Sequence, residues 1–282
     1  MTTCPNHYRN RAMKYKNKWA LITGASAGIG ATFVRAYAAK GANLILVARR
    51  EDRLRELASE LEAKHQIKTK IIAADLADPT APQAIFDVLA RENIPVDILI
   101  NNAGYGLPGY YTDNDWAAHR AFLELMVTSY AHMTRLFLPG MLARNFGQII
   151  QVASLAGLVP GSAGHTLYGP AKGFLVSFAQ SLAAECDGTG VNSSALCPGF
   201  TYSEFHDVNA TRGLVSQLPK YMFMKPEPVV EGAINAVERG RAVYVPGAWN
   251  SFVAWLNKAL PRPMAEAFVK NQSKRFRKAH AD

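Results

Sequence analysis

Apolar and polar positions alternate along the chain in two rhythms. Short runs rich in β-branched and other apolar residues predict strands, at Trp19–Thr23, Asn43–Ala48, Lys70–Ala74, Ile98–Asn101, Gln148–Val152, Val191–Leu196 and Ala242–Val245. Longer stretches with apolar residues at helical spacing predict helices, at Ile29–Lys40, Glu51–Lys64, Ala81–Glu92, Ala117–Arg144, Leu167–Cys186 and Pro228–Arg239. This alternation predicts an α/β fold with a mostly parallel, doubly wound sheet, helices on both faces and ligands at the carboxyl ends of the strands.

The chain is long enough for one sizeable core, with 282 residues of which 49% are hydrophobic. Because no internal repeat or long linker divides it, we expect one domain over 18–247. A basic tail, 1–17, precedes this domain, and an amphipathic, basic helical extension, 248–282, follows it. The irregular segment Phe200–Pro226 is long for a compact domain, which is typical of a functional lid or a disordered region.

The positive charge is concentrated at the two ends of the chain. The formal net charge is +9, and residues 1–18 carry five bases and no acid. Residues 257–282 carry seven bases and two acids, which leaves the remaining body one unit negative. A basic face across the domain, as nucleic-acid binding requires, is therefore not expected.

Cysteine and histidine usage indicates a reducing compartment and no metal site. The three cysteines, Cys4, Cys186 and Cys197, form no C-x-x-C motif, which favours reduced thiols and a cytoplasmic protein. The histidines are scattered, so we expect no metal. The N-terminal tail lacks the apolar stretch of a secretory signal. Its basic composition also occurs in organellar transit peptides, but it is short and poor in serine, which favours a solvated tail.

The turn after the first predicted strand has the composition of a phosphate-binding loop. It reads Thr23-Gly24-Ala25-Ser26-Ala27-Gly28-Ile29-Gly30 and leads directly into a predicted helix. Such glycines allow a tight turn, close approach to a pyrophosphate and close helix packing, and the helix N-terminus offers N–H groups. Glycine clusters also occur in ordinary loops, so the strand–turn–helix context carries much of this prediction. The predicted dinucleotide contacts here are Thr23, Gly24, Ser26, Gly28, Ile29 and Gly30.

The end of the second predicted strand favours NADP(H) over NAD(H). An NAD site places an acid about 20 residues after the glycine motif, whereas here Val47-Ala48-Arg49-Arg50 contains none. A guanidinium at Arg49 could bind a 2′-phosphate through two hydrogen bonds. The alternative is a solvated arginine at the start of a charged helix, which suits Arg50 and Arg53 better than Arg49.

Further polar groups follow predicted strands at the same edge of the sheet. Asn101-Asn102-Ala103-Gly104 ends one strand with amides beside the expected cofactor crevice, and Ser154 follows the next strand. Tyr168 precedes Lys172 by one helical turn, so both project from one helix face. A carbonyl that accepts hydride needs a proton. A tyrosine can supply it once an ammonium lowers its pKa, and a serine can orient the carbonyl oxygen. Each group alone is also common without function.

In combination, the glycine turn, Asn-Asn-Ala-Gly, Ser154 and Tyr-x-x-x-Lys resemble the short-chain dehydrogenase/reductase family, from about Lys18 to Gly247. The resemblance implies a single Rossmann-type domain that moves hydride between a nicotinamide and a carbonyl–alcohol pair. It implies that Tyr168 is the general acid/base and that Ser154 orients the carbonyl. It also implies that Lys172 tunes Tyr168 and bonds the nicotinamide ribose.

The resemblance implies further cofactor contacts and an oligomer. Asp75, followed by Leu76, resembles the residue that meets the adenine, and Pro198-Gly199 with Ser203 resembles the segment that contacts the nicotinamide amide. The remaining implied contacts are Asn102, Ala103, Gly104, Tyr168 and Lys172. Family members commonly pair their two long helices, here Ala117–Arg144 and Leu167–Cys186, so a homodimer or homotetramer is expected.

The chain departs from the family pattern at two places. Met126 stands where the family usually has an asparagine that supports a proton-relay water, and a thioether is a weak substitute for an amide. The segment between Ser154 and Tyr168 is one residue longer than usual and contains Gly161, Gly164 and His165. Because that loop borders the substrate, the pocket is expected to be unusual.

Two functions remain as hypotheses. The favoured one is an active NADP(H)-dependent reductase for a fairly apolar ketone or aldehyde, because the irregular segment is rich in large apolar side chains. These are Phe200, Tyr202, Phe205, Tyr221, Met222, Phe223 and Met224. The alternative is a non-catalytic NADP(H) sensor or scaffold on the same fold, for which Met126 is mild support.

The C-terminal extension carries an apolar stripe at helical spacing. Trp249, Phe252, Val253, Leu256 and Leu260 form the stripe, and basic residues follow it. One interpretation is peripheral membrane attachment. The other, which we favour from sequence, is that the helix covers the substrate cleft or a subunit interface, since an apolar stripe usually faces protein.

Overall fold

The computed structural model describes residues 15–107, 109–164, 166–202, 222–261 and 263–264. Its strands are β1 Trp19–Thr23, β2 Asn43–Ala48, β3 Thr69–Ala73, β4 Ile98–Asn101, β5 Gly147–Val152, β6 Val191–Leu196 and β7 Val243–Tyr244. Within the described residues these seven strands form one parallel sheet in the order β3-β2-β1-β4-β5-β6-β7. The predicted doubly wound α/β fold is confirmed.

Helices cover both faces of this sheet. They are α1 Gly28–Ala39, α2 Glu51–His65, α3 Ala81–Arg91, α4 Trp116–Leu123, α5 Ser129–Ala143, α6 Tyr168–Glu185, α7 Pro226–Glu238 and α8 Ala248–Ala259. Apolar side chains of α1, α2 and α7 form the core on one face. Those of α3 and α5 form the core on the other face, and α6 continues it beside β6. All six residues of β5 are buried, as expected for a central strand covered on both sides.

The helix predicted over Ala117–Arg144 is present without a break over 116–143, but it contains a π-helical turn that the apolar spacing does not predict. Residues Glu124–Thr128 form a π-helical turn between α4 and α5. There the Ser129 N–H donates to the carbonyl of Glu124 instead of that of Leu125. The Leu125 carbonyl instead accepts from the Ser129 hydroxyl at 2.7 Å. A side chain that competes in this way for a backbone acceptor favours the wider turn.

The other predicted boundaries agree with the structure to within two residues. The exception in length is β7, which is shorter than predicted, and α8 accounts for the start of the predicted helical extension. Residues 1–14 of the predicted basic tail and the residues after 264 lie outside the described part of the chain. At the end of that tail Tyr15 is buried in the core and donates to Gln148 at 3.1 Å, so it belongs to the folded body and the predicted boundary after residue 17 lies too late. No described helix combines the length and apolar character needed to cross a bilayer.

Candidate active site

The candidate site lies where the direction of strand order reverses. β1 lies between β2 and β4, so the chain moves outward from β1 toward β3 on one side and toward β7 on the other. The connections after β1 and β4 therefore run in opposite directions, and a crevice remains between them at the carboxyl ends of these strands. The predicted glycine turn follows β1, and the Asn-Asn-Ala-Gly segment follows β4.

The glycine turn has the geometry of a phosphate cradle. Gly24 and Gly28 have φ angles of +65° and +54°, which glycine adopts without strain. At Gly30 a Cβ atom would lie 2.1 Å from the carbonyl oxygen of Gly24, so no side chain fits there. The N-terminus of α1 receives no side-chain cap. Its N–H groups can therefore serve an anion. These residues fit a bound dinucleotide.

Thr23 joins the two loops that border the crevice. Its hydroxyl accepts hydrogen bonds from the backbone N–H groups of Asn102 at 2.8 Å and Ala103 at 3.0 Å. The Asn102 amide in turn donates to the Thr23 carbonyl at 2.8 Å. Since the side chain of Thr23 is buried, its hydroxyl holds the Asn-Asn-Ala-Gly segment against the glycine turn.

Asn101 does not face the crevice, contrary to the expectation from sequence. Its side chain is buried, and its amide donates to Gln151 at 3.0 Å and to Thr134 at 3.2 Å. Of the two neighbouring amides, only that of Asn102 lies at the cofactor crevice. Asn101 has a structural role, because a buried amide needs partners and finds them between β5 and α5.

Two arginines and an acid stand at the ends of β2 and β3. A guanidinium nitrogen of Arg49 lies 3.8 Å from a carboxylate oxygen of Asp75, and both side chains are exposed. Arg50 donates a hydrogen bond to the Ser26 hydroxyl in the glycine turn at 3.1 Å. Arg50 is exposed at the N-cap of α2, as the sequence predicts, and its guanidinium also contacts the phosphate cradle, which the sequence did not predict. The one sequence feature that could have indicated this contact is that Arg50 directly follows Arg49.

The predicted catalytic residues meet at the ends of β5 and α6. Ser154 and Tyr168 share a side-chain hydrogen bond, and Tyr168 is the first residue of α6. The Lys172 ammonium, one turn later, donates to the Val152 carbonyl at 2.7 Å and lies 5.7 Å from the centre of the Tyr168 ring. A hydrogen-bonded phenol and serine beside a buried ammonium can donate a proton to a carbonyl oxygen.

The electrostatics of this group differ from the expectation that Lys172 lowers the pKa of Tyr168. Burial raises the pKa of Tyr168 to about 12, and the hydrogen bond from Ser154 only partly opposes the rise. Burial also lowers the pKa of Lys172 to about 7. The physical reason is that both groups lose water on burial, which disfavours the phenolate form of Tyr168 and the ammonium form of Lys172. The Lys172 ammonium donates its hydrogen bond to the Val152 carbonyl.

Met126 lies beneath the site, inside the π-helical turn. Its side chain is fully buried in an apolar cluster with Phe122 and Ala171, and Tyr168 packs against this cluster. The sulfur lies so close to Gly104 that a Cβ atom there would be 2.8 Å from it. Met126, at the position that usually carries an amide, therefore makes an apolar contact between the Asn-Asn-Ala-Gly segment and α6.

The segment after β6 closes the far side of the crevice. The Leu155 N–H donates to the Pro198 carbonyl at 2.9 Å, which ties this segment to the residue after Ser154. The Phe223 ring packs against Phe200 and Tyr202, with ring centres 5.6 and 5.1 Å apart. Other residues predicted for this region lie outside the described residues, namely His165, Ser203, Phe205 and Tyr221.

The comparison with known families identifies the chain. A family model described as short chain dehydrogenase matches residues 18–212. The chain belongs to the short-chain dehydrogenase/reductase family, whose members are oxidoreductases. It is 37% identical to a short chain dehydrogenase of Pseudocercospora fijiensis over 210 residues, which are 72% of this chain and 66% of that protein. It is 30% identical to the very-long-chain 3-oxoacyl-CoA reductase of Anas platyrhynchos over 269 residues, 92% of this chain and 81% of that protein.

Solved structures give the same assignment. A 7β-hydroxysteroid dehydrogenase structure has a TM-score of 0.80 and 25% identity, over 91% of this chain and 98% of that one. A short-chain dehydrogenase from Sphingobium yanoikuyae in complex with NADPH has a TM-score of 0.76 and 28% identity, over 86% and 96%. A Burkholderia phymatum relative of the fold, at 24% identity and a TM-score of 0.77 over 86% and 94%, is in complex with NAD. The fold thus accepts either nicotinamide cofactor.

Proposed function

We propose that this chain interconverts an apolar ketone or aldehyde and its alcohol with NADP(H), and that Tyr168 is the general acid/base. The hydrogen bond between Tyr168 and Ser154 at the rim of the dinucleotide crevice carries the proposal. It places a proton donor and a second hydroxyl side by side, as the developing negative charge on a carbonyl oxygen requires. The chemistry is assigned to the segment 18–247.

The side chains divide the work on the carbonyl oxygen. Bound NADPH would supply the hydride to the carbonyl carbon. Tyr168 donates its proton to the oxygen while Ser154 hydrogen-bonds that oxygen. Because burial raises the pKa of Tyr168 to about 12, the phenol is protonated near neutral pH and ready to act as an acid. Lys172, with its pKa lowered to about 7, exchanges protons near neutrality and can return one to the phenolate.

The preference for NADP(H) rests on two arginines at the cradle. Arg49 is an exposed guanidinium after β2, and Arg50 is bonded to Ser26 of the glycine turn. Together they offer a 2′-phosphate two cations with planar donor groups. Asp75, paired with Arg49, remains the proposed adenine contact, with Leu76 buried behind it. NAD(H) is the competing cofactor.

Two observations support the proposal of an apolar substrate, namely the residues at the rim of the crevice and the names of the relatives. Phe200, Tyr202 and Phe223 form an aromatic cluster directly after Pro198-Gly199, the proposed nicotinamide contact. The 3-oxoacyl-CoA reductase and 7β-hydroxysteroid dehydrogenase relatives are named for large, mostly apolar substrates. A bulky ketone is therefore the first class to test.

We also propose a homodimer or homotetramer that pairs outer helix faces. The outer face of α6 carries no charge between Lys172 and Glu185. It exposes Phe174, 40% accessible, which stacks on Phe178 at 5.6 Å. An uncharged helix face with aromatic residues is typical of a subunit interface.

The cytoplasmic location proposed from the cysteines agrees with two buried free thiols, Cys186 and Cys197.

The decisive experiment is a carbonyl screen with NADPH and NADH. Purified protein is mixed with ketosteroids, 3-oxoacyl thioesters, bulky aryl ketones and aldehydes, and oxidation of the reduced cofactor is followed by absorbance. We expect turnover of at least one apolar carbonyl with NADPH. Ser154→Ala, which removes the second hydroxyl, should slow it about a hundredfold. Absence of turnover throughout, with NADPH bound, would contradict the proposal.

A non-catalytic NADP(H)-binding protein is the second candidate, and Met126 is the observation that favours it. An apolar side chain fills the position that usually carries the relay amide. If the screen finds NADPH binding without turnover, this candidate becomes the better account.

A further inference from the structure

The helix α8 presents a row of aromatic rings on its outer face. Trp249, Phe252 and Trp255 are 46%, 48% and 61% exposed. Their ring centres follow one another at 6.0 and 6.1 Å, so they form one continuous surface, here called the aromatic face. Val253 and Leu256 of the predicted stripe are only partly exposed. The apolar stripe is thus divided between an inner and an outer side of the helix.

The inner side of α8 fixes the helix at the rim of the candidate active site. Asn250 is buried, and its amide donates to the Pro246 carbonyl at 2.9 Å. Gly199 lies so near that a Cβ atom there would be 2.5 Å from the Asn250 side-chain oxygen. Gly199 belongs to the segment that closes the crevice beside Ser154. The aromatic face is therefore carried by a helix that is anchored beside the proposed nicotinamide contact, next to the aromatic rim of the crevice.

The charge around the aromatic face indicates the chemistry of its partner. Lys258 is exposed in the last turn of α8. Seven bases and two acids occupy residues 257–282, although the body of the protein is near neutral. Tryptophan and phenylalanine on a helix flanked by lysine and arginine match the interface of an anionic membrane. A second copy would bring the same positive charges together, and no described helix can span a bilayer.

We propose that the aromatic face docks α8 onto an anionic lipid surface and turns the substrate crevice toward that surface. The side chains of Phe252 and Trp255 enter the headgroup region, and Lys258 in the last turn of the helix contacts lipid phosphates. Docking in this orientation presents lipid-dissolved ketones to the crevice, and this consequence rests on the proposed function. The docking itself does not depend on the proposed function.

Vesicle binding tests the docking without any substrate. Full-length protein is floated with phosphatidylcholine vesicles, with and without phosphatidylserine, at about 50 mM and about 500 mM salt. We expect binding to the anionic vesicles, weakened by salt, and at least a tenfold loss in Phe252→Ser/Trp255→Ser. Trp116→Ser is the matched control, since Trp116 is 63% exposed on α4. It should bind like the wild type.

Several outcomes would overturn the docking. These are failure of the wild type to bind anionic vesicles, equal loss in the control variant, or no loss in the double variant. A further one is a concentration-dependent dimer that the double variant abolishes while vesicle binding is absent, which would assign the face to a second copy. Ketone reduction is measured separately with vesicles present. Binding without reduction would leave the docking intact and contradict only the proposed function.

Discussion

The ammonium of Lys172 lies 5.7 Å from the centre of the Tyr130 ring, on α5. Tyr130 is buried, and its hydroxyl donates to the Ala103 carbonyl at 3.0 Å, so one side chain links Lys172 to the Asn-Asn-Ala-Gly segment. The ring face attracts a cation, whereas burial disfavours it and lowers the pKa of Lys172 to about 7. Tyr130 therefore acts as a positioning residue.

Substitution of Tyr130 should shift the pH dependence of catalysis. Tyr130→Leu removes the ring, which lowers the pKa of Lys172 further. The pH limb of kcat/KM that reports Lys172 should then move down by about 0.5–1 unit. Tyr130→Phe keeps the ring and should leave that limb in place, although it loses the bond to Ala103. Equal shifts in both variants, with folding checked by circular dichroism, would contradict a role for the ring.

The buried Lys172 should also make stability depend on pH. The pKa of Lys172 is lowered from 10.5 to about 7 in the folded protein. As pH falls from about 10.5 toward 7, the unfolded chain binds a proton that the folded chain does not. Over this range the wild type should lose up to about 1.4 kcal/mol per pH unit relative to Lys172→Met. Urea unfolding of both proteins at several pH values measures the slope, and parallel curves would contradict it.

Cofactor selectivity should depend on the arginines after β2. Arg49→Asp and Arg50→Asp each remove a proposed phosphate partner and add repulsion, so NADPH should bind about 10- to 100-fold more weakly. NADH binding should change much less. Arg91→Asp, in the last turn of α3, is the control. A crossover helix runs antiparallel to the strands it connects, so its C-terminus lies at the amino ends of the strands, away from the crevice. Fluorescence titration measures both cofactors, and equal losses for NADPH and NADH would exclude phosphate recognition.

The predictable parts of the fold follow from local patterns. Buried strands such as β2 were located because a continuous apolar run between turns has few alternatives. The π-helical turn was not, since the competition between the Ser129 hydroxyl and N–H for backbone carbonyls leaves no mark in hydrophobic spacing. In the site, Ser154, Tyr168 and Lys172 were named from motif order. Tyr130 and Arg50 were missed because their roles depend on contacts between distant elements.

Met126→Asn tests the apolar substitute for the relay amide. An asparagine in this fully buried cluster gains an amide that must find partners in the π-helical turn, so stability should fall by about 1–3 kcal/mol. Activity should stay similar or rise modestly, because Tyr168, Ser154 and Lys172 are unchanged. Met126→Leu is the control for packing alone. An inert wild type that Met126→Asn activates would establish the non-catalytic account.

The central claim, that Tyr168 donates the proton, is tested most directly by Tyr168→Phe. The substitution removes one hydroxyl and keeps the ring against the apolar cluster of Phe122, Met126 and Ala171. Single-turnover reduction of an apolar ketone should slow by about a hundredfold or more, while NADPH affinity and the unfolding midpoint change little. Tyr105→Phe, which removes a half-buried hydroxyl outside the Ser154–Tyr168 pair, should react like the wild type. Near-wild-type reduction by Tyr168→Phe would contradict the assignment.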